Sequence, residues 1–278
     1  MPAPLIITAD DFGADMSVNA AVEHAHRQGI LTAASLMVAA PAAADAVRRA
    51  RALPGLGVGL HLVLVEGVPA LPPHAVPDLV GPDGRFRPDM ARAGVNFLRP
   101  RVRRQLAAEI VAQFEAFAAT GLRLDHVNAH KHFHLHPVVA ALLLEIGPRF
   151  GMRAVRAPIE PAAVLARIEP TPTSFSARLA TLYARRLAAR LRRAGLRVPD
   201  AVFGLHWTGH LTPARLAALL PHLPPGMIEI YAHPATRNDF PGHAPAAAHT
   251  AELAALIDPA VIAAVRASGR RLASFATA

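Results

Sequence analysis

Short apolar runs recur along the chain, and between most of them the apolar positions spread out to helical spacing. Leu5 to Ala9 is the first β-like run. Ser17 to Gln28 then predicts a helix, with Ser17 as N-cap and Gly29 as its stop. Leu36 to Ala39 reads as a second strand, and Pro41 to Leu53 as a helix with proline in its first turn. Leu56 to Val65 (LGVGLHLVLV) has the look of a buried strand. Arg101 to Thr120 predicts a long helix stopped by Gly121. Leu124 to Asn128 predicts a strand, and Val138 to Phe150 a helix begun by Pro137. Further strands are expected at Ala154 to Ala157, Val202 to Trp207, Met227 to Tyr231 and Arg271 to Phe275. Helices fall near Phe175 to Ala194, Pro213 to Leu220 and Pro259 to Ser268.

About eight strands alternating with helices imply a mostly parallel sheet. No Gly-rich dinucleotide turn (GxGxxG) is present. The expected class is therefore α/β with closure into a (β/α) barrel, an open doubly wound sheet being the alternative. No repeat or linker divides the chain, so residues 1–278 read as a single domain. One stretch breaks the rhythm: Glu66 to Pro100 holds seven prolines and little periodicity. A connection of that length is expected to be a functional lid or a surface excursion. Because it follows a strand carrying a candidate ligand, this Pro-rich insertion is read as a lid.

Composition narrows the classes. With 53% hydrophobic and 18% charged residues the chain is not disordered. No apolar run approaches the ~20 residues that span a bilayer. The opening MPAPLIITADDFG reaches Asp10 without a basic region, so no secretory leader is expected and the address reads as cytoplasmic, with peripheral contact at the inner membrane face the furthest extension. The absence of cysteine removes disulfides, thiolate nucleophiles and Cys-based metal sites. The net charge is +9, and every basic side chain except Lys131 is arginine. Arginines gather at 99, 101, 103 and 104, and again at 178, 185, 186, 190, 192 and 193. On the second stretch Leu179, Leu182, Tyr183, Leu187 and Leu191 share one helical face. It reads either as a barrel helix with a solvated basic side or as a helix docking on anionic lipid. Nucleic acid is not expected as a partner, since no recognition motif is present and few aromatics interleave the arginines.

Residues able to do chemistry stand at or just past the carboxyl ends of the expected strands, which in an α/β barrel converge on one mouth. Asp10 and Asp11 end the first strand. Neighbours on a strand point to opposite faces, so the pair serves one target only if the chain bends. Phe12-Gly13 offers that bend; an N-cap or Asx-turn is the plainer use of the same residues. The segment DHVNAHKHFHLHP carries histidines at 126, 130, 132, 134 and 136. Extended, it would align the last four; helical, it would align His126 with His130. His61 in GVGLHLVLV is a ring amid apolar sequence and needs a partner. Asp11, His61 and His130 together read as a two-histidine, one-carboxylate site for a divalent ion. That donor set suits Zn2+, Ni2+ or Co2+.

TADDFG, GLHL, HVNAHKHFHLHP and YAHP, in this order, resemble the YdjC-like carbohydrate deacetylases, which include chitooligosaccharide deacetylases. The resemblance runs from residue 5 to about 275. The wider context, ITADDFG…LTAASLMV…PGLGVGLHLVLVEG, is similar to the hopanoid-biosynthesis-associated branch, HpnK. It implies a distorted (β/α) barrel of the polysaccharide-deacetylase-like type. The implied activity is metal-dependent removal of acetyl from an N-acetylglucosaminyl head group on a hopanoid lipid. It implies a metal, Mg2+ by this resemblance, on Asp11, His61 and His130, with His126 and His130 matching an H-x-x-x-H arrangement. Asp10 corresponds to the catalytic carboxylate, His233 to the histidine opposite it, and Arg156 to the arginine paired with the carboxylate. His132 and His134 are assigned to substrate contact. Many relatives carry Asp-Ser where this chain has Asn128-Ala129, a departure beside the ligands. Soluble chitooligosaccharides are the alternative substrate, and a non-catalytic sugar- or lipid-binding barrel the alternative class; a homodimer is left open.

Overall fold

The computed structural model describes residues 2–170 and 175–278, with side chains throughout except at 175–178, so Arg178 of the basic helix lies outside the described side chains. Seven strands are present among the described residues: β1 (Pro4–Phe12), β2 (Ala33–Leu36), β3 (Gly57–Leu62), β4 (Val127–Ala129), β5 (Ala201–Phe203), β6 (Ile228–Ala232) and β7 (Arg271–Leu272). They form one sheet in the order β4-β3-β2-β1-β6-β5, with β7 alongside the start of β1. Every pairing is parallel. The result is a curled α/β half-barrel of one domain, as the alternation of strands and helices predicts.

The two faces of the sheet hold different chemistry, because successive side chains of a strand point opposite ways. Leu5, Ile7 and Ala9 of β1 enter the large core under the helices, where Val18, Val22 and Leu216 also lie. Each large aliphatic side chain buried there contributes about 1.5–3 kcal/mol relative to exposure. On the other face Ile6 packs with Ala33, Ala154 and Phe275 as a small apolar plug. Further along that face come Thr8 and Asp10 of β1, Ser35 of β2, His61 of β3 and Asn128 of β4, all buried. The interior is narrow. A Cβ on Gly59 would stand 2.5 Å from the His126 ring, and one on Gly57 2.7 Å from the Asp125 carboxyl carbon. The glycines of GVGLH therefore make room for the two residues that precede β4.

Several elements differ from the sequence expectation. The first helix spans Met16–Gln28, and its cap is Asp15, which accepts the Ser17 N–H at 2.8 Å. The second strand lies at Ala33–Leu36, not Leu36 to Ala39. Its partner β1 ends opposite Leu36, so nothing continues the ladder, while small alanines suit the narrow interior. Ala154 to Ala157 forms only isolated bridges, Val127 with Val155 and Ala154 with Arg197. The Pro-rich stretch is not structureless. It holds a helix, Met90–Phe97, capped by Asp89, and an antiparallel bridge between Val80 and Phe86. Buried Glu109 anchors it by accepting the N–H groups of Ala70 and Leu71 at 2.7 and 3.0 Å. The helix His249–Ile257 follows a Gly/Pro/Ala-rich stretch whose weak periodicity gave no signal.

Candidate active site

The site begins where β1 bends. Asp11 has φ 62 inside the strand, and the β1–β2 register shifts between Ala9 and Phe12. This bulge, one residue earlier than the Phe12-Gly13 turn expected from sequence, lets consecutive aspartates serve one pocket. Asp11 Oδ1 lies 3.2 Å from His61 Nε2 and 3.2 Å from His130 Nδ1. Among the described residues these three are the one His/Asp/Glu group whose donor atoms all lie within 4.8 Å of one another.

The donor set fits a divalent ion on two counts. Atoms about 2.1 Å from one ion in near-tetrahedral array stand about 3.4 Å apart, close to the separations found. Charge points the same way. Asp10, Asp11 and Glu229 bring three carboxylates into the site and Arg156 one guanidinium, an excess of negative charge that a divalent cation offsets.

Asp10 is held by Arg156, which is fully buried. Arg156 Nη1 donates to Asp10 Oδ2 at 2.5 Å and Nη2 to Oδ1 at 3.0 Å. On its other side Arg156 donates to Glu229 Oε1 from Nε at 2.9 Å and Nη2 at 2.7 Å. Burial alone would raise the Asp10 carboxyl; Arg156, with His61 and His233, outweighs it and holds the group far below the ordinary carboxylate range. Burial would likewise depress His61, but Asp10 and Asp11 reverse it and raise the imidazole.

Asn128 ties the two halves together. Its Oδ1 accepts from His61 Nδ1 at 2.7 Å, and its Nδ2 donates to Asp10 Oδ1 at 3.0 Å and to Ser35 Oγ at 2.9 Å. Asn128 thus supports ligand and carboxylate alike.

The histidine-rich segment adopts neither conformation weighed from sequence. It is a short 3-10 turn, His130–Leu135, with Lys131 and His132 left-handed at φ 53 and 55. The histidines consequently diverge. His130 turns to Asp11. His132 Nε2 meets the Tyr231 hydroxyl at 3.0 Å. His134 is 1% exposed, and burial beside Arg156 pushes it down to about 3, so it stays neutral. His136 Nδ1 accepts the Val138 N–H at 3.3 Å and caps the next helix. His126 does not join His130 but faces Asp125 and Ser35.

β6 delivers His233. Buried Glu252 accepts its backbone N–H, and His249 Nδ1 donates to its carbonyl at 2.6 Å. The His233 ring lies edge-on to Tyr231, centroids 5.5 Å apart, and the Tyr231 hydroxyl in turn meets His132. Glu229, Tyr231 and Glu252 escaped the sequence reading. The first had a signal: a carboxylate inside the apolar run MIEIY, sharing its parity with Tyr231 and His233, needs a buried cation.

A parallel half-barrel with an Asp-His-His cluster able to hold a metal ion, beside an arginine-held carboxylate, is the class of α/β protein that fold and site define. The chain belongs to the YdjC-like protein family, whose model matches residues 4–267. It is 32% identical over 279 residues to a carbohydrate deacetylase of Geobacillus stearothermophilus, covering 99% of this chain and 98% of that one. A carbohydrate deacetylase of Brevibacillus brevis is 39% identical over 146 residues. That match spans about half of each protein, 52% of this chain and 56% of the relative. Among solved structures, a protein of Enterococcus faecalis V583 provisionally named for cellobiose-phosphate cleavage shares the fold at TM-score 0.74 and 22% identity, covering 99% of this chain and 98% of that one.

Proposed function

We propose that this protein is a divalent-metal-dependent N-deacetylase acting on an N-acetylglucosaminyl head group carried on a hopanoid lipid. One observation carries the amide-hydrolase reading: an ionised carboxylate, Asp10, clamped by Arg156 beside the Asp11–His61–His130 cluster. The full-length deacetylase relative supports the same chemistry.

Asp11, His61 and His130 would hold the ion. When bound, a divalent cation there polarises the acetamide carbonyl and acidifies water. Magnesium is the ion the resemblance implies, whereas two imidazoles favour zinc, nickel or cobalt. Asp10 acts as proton acceptor at Oδ2, whose one hydrogen bond among the described residues is to Arg156 Nη1, while Oδ1 is engaged by Arg156 and Asn128. His233, its backbone pinned by Glu252 and His249, donates a proton to the departing amine. His132, kept neutral by burial and Arg156, lines the sugar side without adding charge, whereas His134, 1% exposed, lies behind it and does not reach substrate. The 66–100 segment serves as a lid. Glu66 pairs with Lys131 at 3.1 Å, and Phe97 packs edge-on against Phe133, so it rests directly on the histidine turn.

Two features support the lipid-linked substrate: the resemblance of the sequence context to the hopanoid-associated branch, and apolar residues on the basic helix Phe175–Arg193. There Leu187 and Leu191 are buried, but Leu179 and Leu182 are 51% and 45% exposed on a helix rich in arginine. Such a face suits the surface of an anionic membrane. No helix of the described residues is long and apolar enough to cross one.

The test is incubation with acetylglucosaminyl hopanoid and, separately, with N-acetylated chitooligosaccharides, following acetate by mass spectrometry. Release from the hopanoid alone is expected. Release only from the soluble sugars would remove the lipid assignment, and release from neither would remove the deacetylase.

A further inference from the structure

Behind the site lies a buried row of polar groups that the proposed chemistry does not use. Asp125, His126 and Ser35 are 4%, 0% and 0% exposed. His126 Nδ1 is 3.0 Å from Asp125 Oδ2, and His126 Nε2 is 2.9 Å from Ser35 Oγ. The sequence of groups is that of a nucleophilic triad, but the serine does not open on a cavity. Its remaining partner is Asn128 Nδ2 at 2.9 Å. The row is wired inward.

With His126 neutral, donor and acceptor chemistry gives every hydrogen bond in it one direction. Asp125, ionised, can only accept, and it is held by the backbone N–H groups of Phe275 and Ala276 at 3.2 and 2.8 Å. His126 Nδ1–H therefore donates to Asp125, and in the neutral ring Nε2 is an acceptor. Ser35 donates its one proton to that nitrogen and offers lone pairs to Asn128. The Asn128 amide is then oriented: Nδ2 toward Ser35 and Asp10, Oδ1 toward His61. A carbonyl oxygen can only accept, so His61 carries its proton on Nδ1, and Nε2 is the nitrogen that faces Asp11 and the ion.

We propose that Ser35, His126 and Asp125 are positioning residues for the divalent-ion site, acting through Asn128 to hold the His61 proton on Nδ1 and present Nε2 to the ion. The ordered anchor at the far end is the segment around Phe275, whose ring stacks on His126 at 4.3 Å. Packing near the carboxyl end of the chain is thereby connected to a site at the opposite end of the strands. This inference rests on the metal reading above and deepens it.

The experiment is calorimetric titration of Zn2+ into wild type, Asp11→Ala, Ser35→Ala, Asn128→Ala and the Ser35→Ala/Asn128→Ala double variant, each first checked for a folded circular-dichroism spectrum. Wild type is expected to bind and Asp11→Ala not. Loss of a supporting hydrogen bond weakens metal affinity roughly tenfold or more, and Ser35→Ala should show that loss. The double variant should bind no more weakly than Asn128→Ala alone, because both changes cut one path. A purely structural role for Ser35 would instead multiply the two losses. Should Ser35→Ala not fold, His126→Phe carries the comparison, since it keeps the ring on Phe275 and removes both nitrogens. Wild-type affinity in Ser35→Ala or His126→Phe, or multiplicative losses in the double variant, overturns the array alone. Zn2+ binding that survives Asp11→Ala, or is absent from wild type, overturns the metal site and the array with it.

Discussion

Arg156 and Asp10 are joined through both carboxylate oxygens, at 2.5 and 3.0 Å, across 146 residues of chain and with no exposure of the guanidinium. Glu229 occupies the opposite side of the same guanidinium. Arg156→Met removes one cation from between two buried carboxylates, and breaking a buried pair in this way costs about 3–5 kcal/mol. Arg156→Lys keeps the charge but not the two-pronged geometry, so it should fall between Met and wild type in urea unfolding.

Binding of an ion to folded protein alone raises thermal stability. Added Zn2+ is therefore expected to raise the Tm of wild type and to leave Asp11→Ala unchanged, read by differential scanning calorimetry with a chelator control.

The same site predicts a pH dependence. His61 must lose its Nε2 proton to bind an ion, and Asp10 and Asp11 raise its pKa. Protons then compete from a higher pH than they would at an ordinary imidazole. Zn2+ affinity should fall steadily from pH 8 to pH 6; an affinity flat across that range would refute the assignment of His61.

Asn128→Asp separates two duties of one side chain. The carboxylate still accepts the His61 Nδ1–H, so Zn2+ affinity should be retained. The N–H that reaches Asp10 is replaced by a like charge, which raises the Asp10 pKa. The acidic limb of kcat/KM should accordingly move to higher pH, measured on whichever acetylated substrate is turned over.

Glu160 gives a prediction away from catalysis. It accepts the backbone N–H groups of Gly204, Leu205 and His206 at 2.9, 3.0 and 2.9 Å, yet burial pushes its pKa up to about 7. Between the ordinary glutamate value of 4.5 and about 7 the folded state binds more protons than the unfolded one. Stability must fall as pH rises through that window. Melting temperature should decline from pH 5 to pH 7.5 in wild type and less steeply in Glu160→Gln.

Much of the plan was readable along the chain. Alternating apolar runs specify a parallel α/β sheet, because burial of one strand face and one helix stripe is a local pattern. The order Asp10-Asp11, His61, His130, Arg156, His233 follows from strand ends, where such sheets expose their polar residues. Even the insertion at 66–100 announced itself by its prolines. Its helix did not, since eight residues, Met90–Phe97, hold too few turns for periodicity to register.

What tertiary structure alone decided is who faces whom. Three histidines, at 126, 130 and 132, lie within seven residues of chain and take three different partners: Asp125 with Ser35, Asp11, and Tyr231. Two left-handed residues and a bulge at Asp11 produce that divergence, and no hydrophobic pattern encodes a single φ angle. Glu229 and Asn128 acquire meaning only when the sheet curls and sets Arg156 between two carboxylates. Residue types specify the available charges and ligands; the curvature of the sheet sets the distances between them, and electrostatic energy depends on both.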